Sequence, residues 1–589
     1  MAVRTGNRFP LPHVVSVAVA ETKLVARAAP GVVRYLAPIV AWAAASIALG
    51  LVVGLAAVAL PPLGSFGIVA VVGVVLLWVM PDLPLVWPGL IRKTFLVMLI
   101  ADLCIPGYYT VQFSSLPWIS ARRLVTFALI APFVLAIAAS SDVRRQIAQR
   151  FRASLPICIC VIGFLGMATL SIFTSVLPSE SFSALIDSLL TWYVPFLAII
   201  YVIGDKDDAI FILKVICFGA MFNTLAGLLS FYLQRRFFLD IFPSGMLAAL
   251  VASNPALQNL LPGPEDFRGG LYRSASTFLS PLSYGEFNII IIPIALFFAT
   301  HRQNWSERSL GWVVVIGGIL GIFCSGSRGG WIGVLASLAI FVAIWAIRKA
   351  VKERGSLGPA IAGLVGSISF AVVIGLIIVW PRAHNMVLGG GVEAGSTEAR
   401  YIQWVMATPY IKSNPITGHG FVLGGYIIGS SIDSYVISLL VETGLPGLIF
   451  FTGLLLLPIW YGLRSYLFDM SERGAMAGAL ACSFVAFTVN RVVLSERENH
   501  TLIFCLLGII VFMNYDYAKK RLTERQGYKS PKKTYYPAKD RTEDERPSVG
   551  RGMANQTYRE AWAARMASLI LAVFVSYLLV TCLHLFTKF

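Results

Sequence analysis

The chain has 589 residues, 57% of them hydrophobic and only 13% charged, with a mean hydropathy of +0.76; this balance excludes a soluble globular domain and belongs to polytopic membrane proteins. Lys and Arg total 47 against 30 Asp and Glu, a net charge of +17. The basic residues cluster in short loops between apolar runs, where the positive-inside rule puts them, so the charge does not imply a nucleic-acid partner.

Taken in chain order, Arg4 and Arg8 precede a first long apolar run that starts only near Leu36, and no cleaved signal peptide is expected. Apolar runs at 36–60, 64–80, 91–107, 124–140, 155–177, 185–203, 209–233, 284–300, 310–324, 331–347, 360–380, 435–461, 475–490, 501–517 and 566–586 are long enough to cross about 30 Å of hydrocarbon as helices. The expected fold is an all-α polytopic membrane protein of about 15 transmembrane helices, in a range of about 12 to 15. A barrel would show short alternating segments, and none appear. The eight cysteines lie mostly inside apolar runs, as Cys158 and Cys160 do in "ICIC", with no metal-ligand spacing; they read as small packing residues.

With the N-terminus in the cytoplasm, the loops carrying Arg144, Arg145, Arg150 and Arg152, then Arg302 and Arg308, then Arg348, Lys349, Lys352 and Arg354, then Arg464 and Arg473 all fall inside. The chain then divides into a cytoplasmic segment 1–35, an N-terminal bundle 36–233, a core 234–462, further spans 463–517, a basic disordered cytoplasmic linker 518–562 and a last span 563–589. The same register leaves two long loops, 234–283 and 381–434, on the periplasmic side, where function usually resides.

Arg328, in "FCSGSRGGWIG", emerges on that outer face, where a cation is least expected. An arginine between apolar runs must reach water, pair, or meet an anion; Gly326, Gly329 and Gly330 leave backbone N–H groups open to an anion, and lipid headgroups are the alternative partner. The first outer loop supplies Arg268 and Arg273 in "EDFRGGLYRSASTFLSPLSYGEF". The second, "GSTEARYIQWVMATPYIKSNPITGHGF", predicts an amphipathic surface helix capped by Ser396 or Thr397 and ended by Pro409, with Arg400 and Trp404 on one face. Several arginines converging on one face suit a diphosphate, because guanidinium forks match phosphate oxygens. Asp433 sits where the second loop turns into a span; it either caps the helix beginning near Ser434 or accepts a proton from an attacking hydroxyl. Glu442 lies deeper in that span and supports the bundle through a hydrogen bond.

These stretches, "RSASTFLSPLSYGEF", "SGSRGGWIG" and "ARYIQW…GHGF…IDSYVISLLVETGLPGLIFF", resemble the O-antigen ligase and O-antigen polymerase superfamily over roughly residues 260–460. The resemblance implies a GT-C-like membrane glycosyltransferase of the bacterial inner membrane, active at the periplasmic face. It also implies no cofactor or metal, a donor glycan on undecaprenyl diphosphate, and an acceptor that is another lipid-linked glycan or a lipid A core sugar. Carried onto this chain, it makes Arg273, Arg400, Arg328 and Arg268 donor-binding residues, Asp433 the base, and Trp404 and Glu442 supports. Ligases of the family carry a His-Asn pair where this chain reads "IDSY", a departure that favours a polymerase of surface polysaccharide, in O-antigen or exopolysaccharide biosynthesis.

Other signals are weaker. "GDKDDA" (Asp205, Asp207, Asp208) has a metal-binding DxD form but falls in a very short loop; His419 and His384 are outer-loop histidines that offer alternative bases; "LGGGVEAGS" is a hinge. A rival class, a transporter or flippase of lipid-linked sugars, would need mid-span charges facing a cavity, and the candidates are Asp102, Asp187, Lys214 and Glu442. A protein O-glycosylating relative would differ only in acceptor.

Overall fold

The computed structural model describes residues 87–111, 119–241, 263, 266–268, 270–352 and 394–529. Two compact units arise: Met1–Val86 with Leu135–Ser141, of which Leu135–Ser141 alone are described, and Trp87–Val134 with Asp142–Phe589, which carries every feature below. The expected spans 36–60, 64–80, 360–380 and 566–586, His384 and most of 234–262 and 381–393 lie outside the described residues.

All the remaining expected spans fall on helices. Nine of the described helices are long and apolar enough to cross a membrane. Pro88–Cys104 has 17 residues and falls just short, and Glu472–Arg491 carries charges at both ends. The helix ends follow local chemistry. Asp205 caps Lys206–Leu233 by accepting from Asp208 N at 2.9 Å; Ser280, followed by Pro281, caps Pro281–His301 by accepting from Ser283 N at 3.1 Å. Asn304 caps Trp305–Ser325, which ends on Gly326 at φ +59°. Asp205 is thus a helix cap, and Asp208 an ion-pair partner lying 2.6 Å from Arg92.

The centre is Pro281–His301, buried on nearly every side by Trp305–Ser325, Glu472–Arg491 and Arg328–Lys352. Apolar side chains such as Ile162, Phe173, Leu225 and Ile316 point outward on the peripheral helices, as a lipid-facing surface requires. Successive helices run antiparallel, so their ends sort onto two rims. One rim holds Lys206 with Glu472 at 2.9 Å, Arg302 with Glu307 and Glu472, Arg473 with Asp469 at 2.7 Å, and the amphipathic helix Ser141–Ala153. The other holds Arg273, Arg328, Asp433 and the segment Arg491–His500.

Three expectations change. The surface helix runs Ala394–Ser413, so Ser396 and Thr397 lie within it and Pro409 does not end it. Proline removes one backbone donor, yet the helix continues past it to Ser413. Ser434, not Asp433, is the N-cap residue of Tyr435–Phe468. The last described helix, His500–Lys529, runs well past 518, so the first part of the segment expected to be disordered is helical; its run of Ala, Lys, Arg, Leu, Glu and Gln favours helix.

Tyr435–Phe468 is two half-helices joined at Gly444, whose φ of +69° and ψ of −174° are open to glycine alone. The segment that follows the surface helix docks into this break: His419 N donates to Val441 O at 2.8 Å, Gly420 N to Glu442 O at 3.2 Å, and Leu445 N to Pro415 O at 2.8 Å. A Cβ on residue 444 would sit 2.4 Å from Ile416 O. Gly444→Ala therefore combines a clash with about 1–3 kcal/mol of backbone strain. Its melting temperature in detergent should fall by several degrees, whereas Gly89→Ala, where a Cβ meets nothing within 4 Å, should match wild type.

Candidate active site

Each sequence motif contributes one wall of the second rim. The short hairpin Phe267–Arg268 and Leu271–Tyr272 turns at Gly270 and leads into Arg273, whose N–H donates to Asp266 O at 2.7 Å. Arg268 is the last residue of the first strand. Arg273 Nε donates to Ser325 O at 3.1 Å, and its chain lies against Gly326, where a Cβ would be 3.3 Å from Nε. Ser274 N bonds Cys324 O at 2.8 Å. Arg273 is therefore held at the turn from which Arg328 opens the next helix. Beneath it, Ser276 and Thr277 hydroxyls close on Asn223 Oδ1 at 3.0 and 2.6 Å, satisfying polar groups that lipid cannot.

Arg328 is partly buried as the first residue of Arg328–Lys352. Of the N–H groups expected to be open beside it, Gly330 N donates to Ser327 Oγ at 3.2 Å, an ordinary cap. Gly329 packs against Asn490, which ties this turn to the end of Glu472–Arg491.

The second loop brings Arg400 to Asp433. Arg400 Nε lies 3.9 Å from Asp433 Oδ2, with side chains 28% and 39% exposed, so the pair is within reach of solvent and of a ligand. One turn along, Gln403 Oε1 accepts from Asp433 N at 3.0 Å and fixes the backbone there. Trp404 packs on a cluster of Ala407, Ile428, Ile432, Ile437 and Val441, which seats the surface helix on the half-helix behind Asp433. His419 is committed elsewhere: its Nε2 lies 2.9 Å from Tyr410 O and 3.0 Å from Ser413 Oγ, tying the end of the surface helix to the docked loop.

Sequence reading passed over the segment "RVVLSERENH", Arg491–His500, which joins these walls. Arg491 pairs with Glu286, itself held by Asn490 Nδ2 at 2.9 Å and Asn499 Nδ2 at 3.0 Å. Glu496 accepts from the hydroxyls of Ser280 and Ser283, and both Glu498 oxygens accept from Leu279 N at 3.0 Å. Facing the other way, Ser495 Oγ donates to Ile432 O, and Arg497 Nη2 lies 2.5 Å from Glu442 Oε2. Glu442 thus supports the bundle as expected, through Arg497, Ser438 Oγ at 2.6 Å and Gly424 N at 3.3 Å. The signal available in the sequence was charge density: Arg491, Glu496, Arg497 and Glu498 crowd a loop of a few residues between two apolar runs.

Burial works against the Arg497 charge, but Glu442 and Tyr435 together outweigh it and hold the guanidinium above its usual value. Glu498 is the opposite case. Burial pushes its carboxyl up to about 7, Glu496 adds to the rise and Arg122 opposes it.

From an ordinary value of 4.5, this rise means the folded protein keeps a proton that the unfolded chain releases, so stability falls as pH climbs from 4.5 to about 7. Glu498→Gln removes that loss. Its melting temperature should match wild type near pH 4.5 and exceed it by several degrees at about pH 8, measured by scanning fluorimetry in detergent; parallel curves across the range would refute the assignment.

Residues 312–452 match the family model described as O-antigen ligase. No curated protein matches the chain. The matched segment contains Arg328, Arg400, Asp433 and Glu442; Arg268, Arg273 and Arg491–His500 lie outside it. Over that segment, less than half of the chain, the sequence is similar to the O-antigen ligase family.

Proposed function

We propose that the protein is an inner-membrane glycosyltransferase that extends or transfers an undecaprenyl-diphosphate-linked glycan at the periplasmic face. The observation that carries this reading is the Arg400–Asp433 pair, with Gln403 holding the Asp433 backbone, on the same rim as Arg273 and Arg328. The opposite rim carries the loops with Arg302, Arg348 and Arg473 and faces the cytoplasm.

The acceptor hydroxyl attacks the anomeric carbon of the donor sugar. A new C–O bond forms as the bond from that carbon to the diphosphate oxygen breaks, and the hydroxyl proton passes to Asp433. Negative charge gathers on the departing undecaprenyl diphosphate, where Arg400 and Arg273, with Arg328 and Arg268, stabilise it. No metal is needed for that role. An Asp in place of the ligases' His favours a second lipid-linked chain as acceptor, and hence a polymerase; a lipid A core sugar or a protein hydroxyl would occupy the same position in a ligase or an O-glycosylating relative.

The transporter reading loses its residues. Asp102 lies 3.8 Å from Arg122, Asp187 2.7 Å from Arg123 and Glu442 2.5 Å from Arg497, and Lys214 pairs with Glu307; each charge is compensated within the bundle rather than set facing a channel.

Purified protein reconstituted with an undecaprenyl-diphosphate-linked repeat unit should give a ladder of longer lipid-linked chains. Transfer only when core lipid is added means ligase; donor crossing liposomes without any transfer overturns the enzyme reading. Each of Arg273→Ala and Arg400→Ala should lower transfer about 10- to 150-fold, the worth of one charge-assisted bond, and Asp433→Asn about 100-fold or more. Wild-type rates in both arginine variants would refute the diphosphate site.

A further inference from the structure

Asp433 is the residue on which the proposed transfer turns, and the ion pair it makes with Arg400 is loose, at 3.9 Å. Its position is set by what lies behind it. Ile432 O accepts from Ser495 Oγ, and two turns into the half-helix Glu442 accepts from Arg497. The Arg497 guanidinium lies between the rings of Phe421 at 5.3 Å and Tyr435 at 5.5 Å, so one side chain grips the docked loop, the half-helix and its own segment together. Glu442 completes the grip by accepting from Gly424 N at 3.3 Å.

The same segment is anchored at its other end to the first motif. Arg491 pairs with Glu286, and its guanidinium stacks on Phe487 at 4.6 Å; Arg491 Nη1 also donates to Glu496 O, bracing the loop internally. Glu496 and Glu498 then hold Leu279, Ser280 and Ser283, the start of the helix that follows the Arg273 loop. Two arginine–glutamate clamps, on Arg491 and Arg497 of one loop, therefore join the wall that carries Arg273 to the wall that carries Asp433. Arg491–His500 itself lies beyond the segment that matches the family model.

We propose that Arg491–His500 is a strut that sets the separation of the two walls, with Arg497 a positioning residue that acts through Glu442 to place Asp433. The reading rests on glycosyl transfer for its catalytic consequence but not for its geometry. A guanidinium fork suits this role because it meets a carboxylate while its flat faces pack between two rings, which an ammonium cannot do.

The test uses the full chain in lipid nanodiscs, with Arg497→Lys, Arg497→Gln and the milder Ser495→Ala, and Lys206→Gln, which breaks an ion pair on the opposite rim. Amide hydrogen exchange without substrate should quicken at least about tenfold at His419, Gly420, Gly424 and Asp433 in Arg497→Lys, and at Asp433 in Ser495→Ala, while Lys206→Gln leaves these sites as in wild type. In the transfer assay Arg497→Lys should lower kcat at least about tenfold with the donor KM within about threefold, and Arg497→Lys should exceed Arg497→Gln. If Arg497→Gln does not fold, Arg497→Lys and Ser495→Ala carry the test. Unchanged exchange in both, or a raised KM with wild-type kcat, overturns the strut even if the wild type is an active transferase. Quickened exchange in a protein that transfers nothing overturns glycosyl transfer and leaves the strut standing.

Discussion

The buried pairing of Arg497 with Glu442, and of Arg491 with Glu286, is the constraint on which the second rim depends. Charges taken out of water cost several kcal/mol each unless paired and hydrogen-bonded, and removing one partner of such a pair typically costs about 3–5 kcal/mol. Glu286 is fully buried and Glu442 nearly so, in a bundle whose outward surface is apolar. Each carboxylate therefore requires its arginine, and both arginines come from one short segment. That segment cannot move relative to either wall without stranding a charge.

The break at Gly444 is the second consequence of an apolar surround. Non-helical backbone at membrane depth survives only where protein supplies the missing hydrogen bonds. Here Pro415, His419 and Gly420 supply them, so the segment after the surface helix becomes part of the helix wall. The loop that carries Arg400 is then fixed at both ends: by this docking on one side and by the Gln403–Asp433 bond on the other. The wall that carries Arg400 and Asp433, and the wall that carries Arg273, held by Ser325 and Asn223, suit the proposed transfer, whose main demand is alignment of a hydroxyl with an anomeric carbon.

Two expectations were overturned, one by tertiary packing and one by a local cap. Proline at 409 signals a helix end by its missing donor, but tertiary contacts from Trp404 and Ala407 onto Ile428 and Val441 hold the helix through it to Ser413. Glycines at 329 and 330 suggested open amides; the Ser327 hydroxyl caps Gly330 instead. His419, an alternative base by residue type, is spent on holding the surface helix to the docked loop.

The sequence by itself determined what composition and periodicity control: a helical membrane protein, helix positions in the described chain, and the sorting of basic loops to one rim. It also singled out Arg273, Arg328, Arg400 and Asp433, because charge in an apolar context is costly and so stands out. What only the tertiary structure decided is which of these charges are partners. Glu286 meets Arg491 and Glu442 meets Arg497 across separations of 205 and 55 residues. No local periodicity encodes such pairings; they follow from which helix ends the packed bundle brings to the same rim, since a buried charge must find its counter-ion in space rather than along the chain.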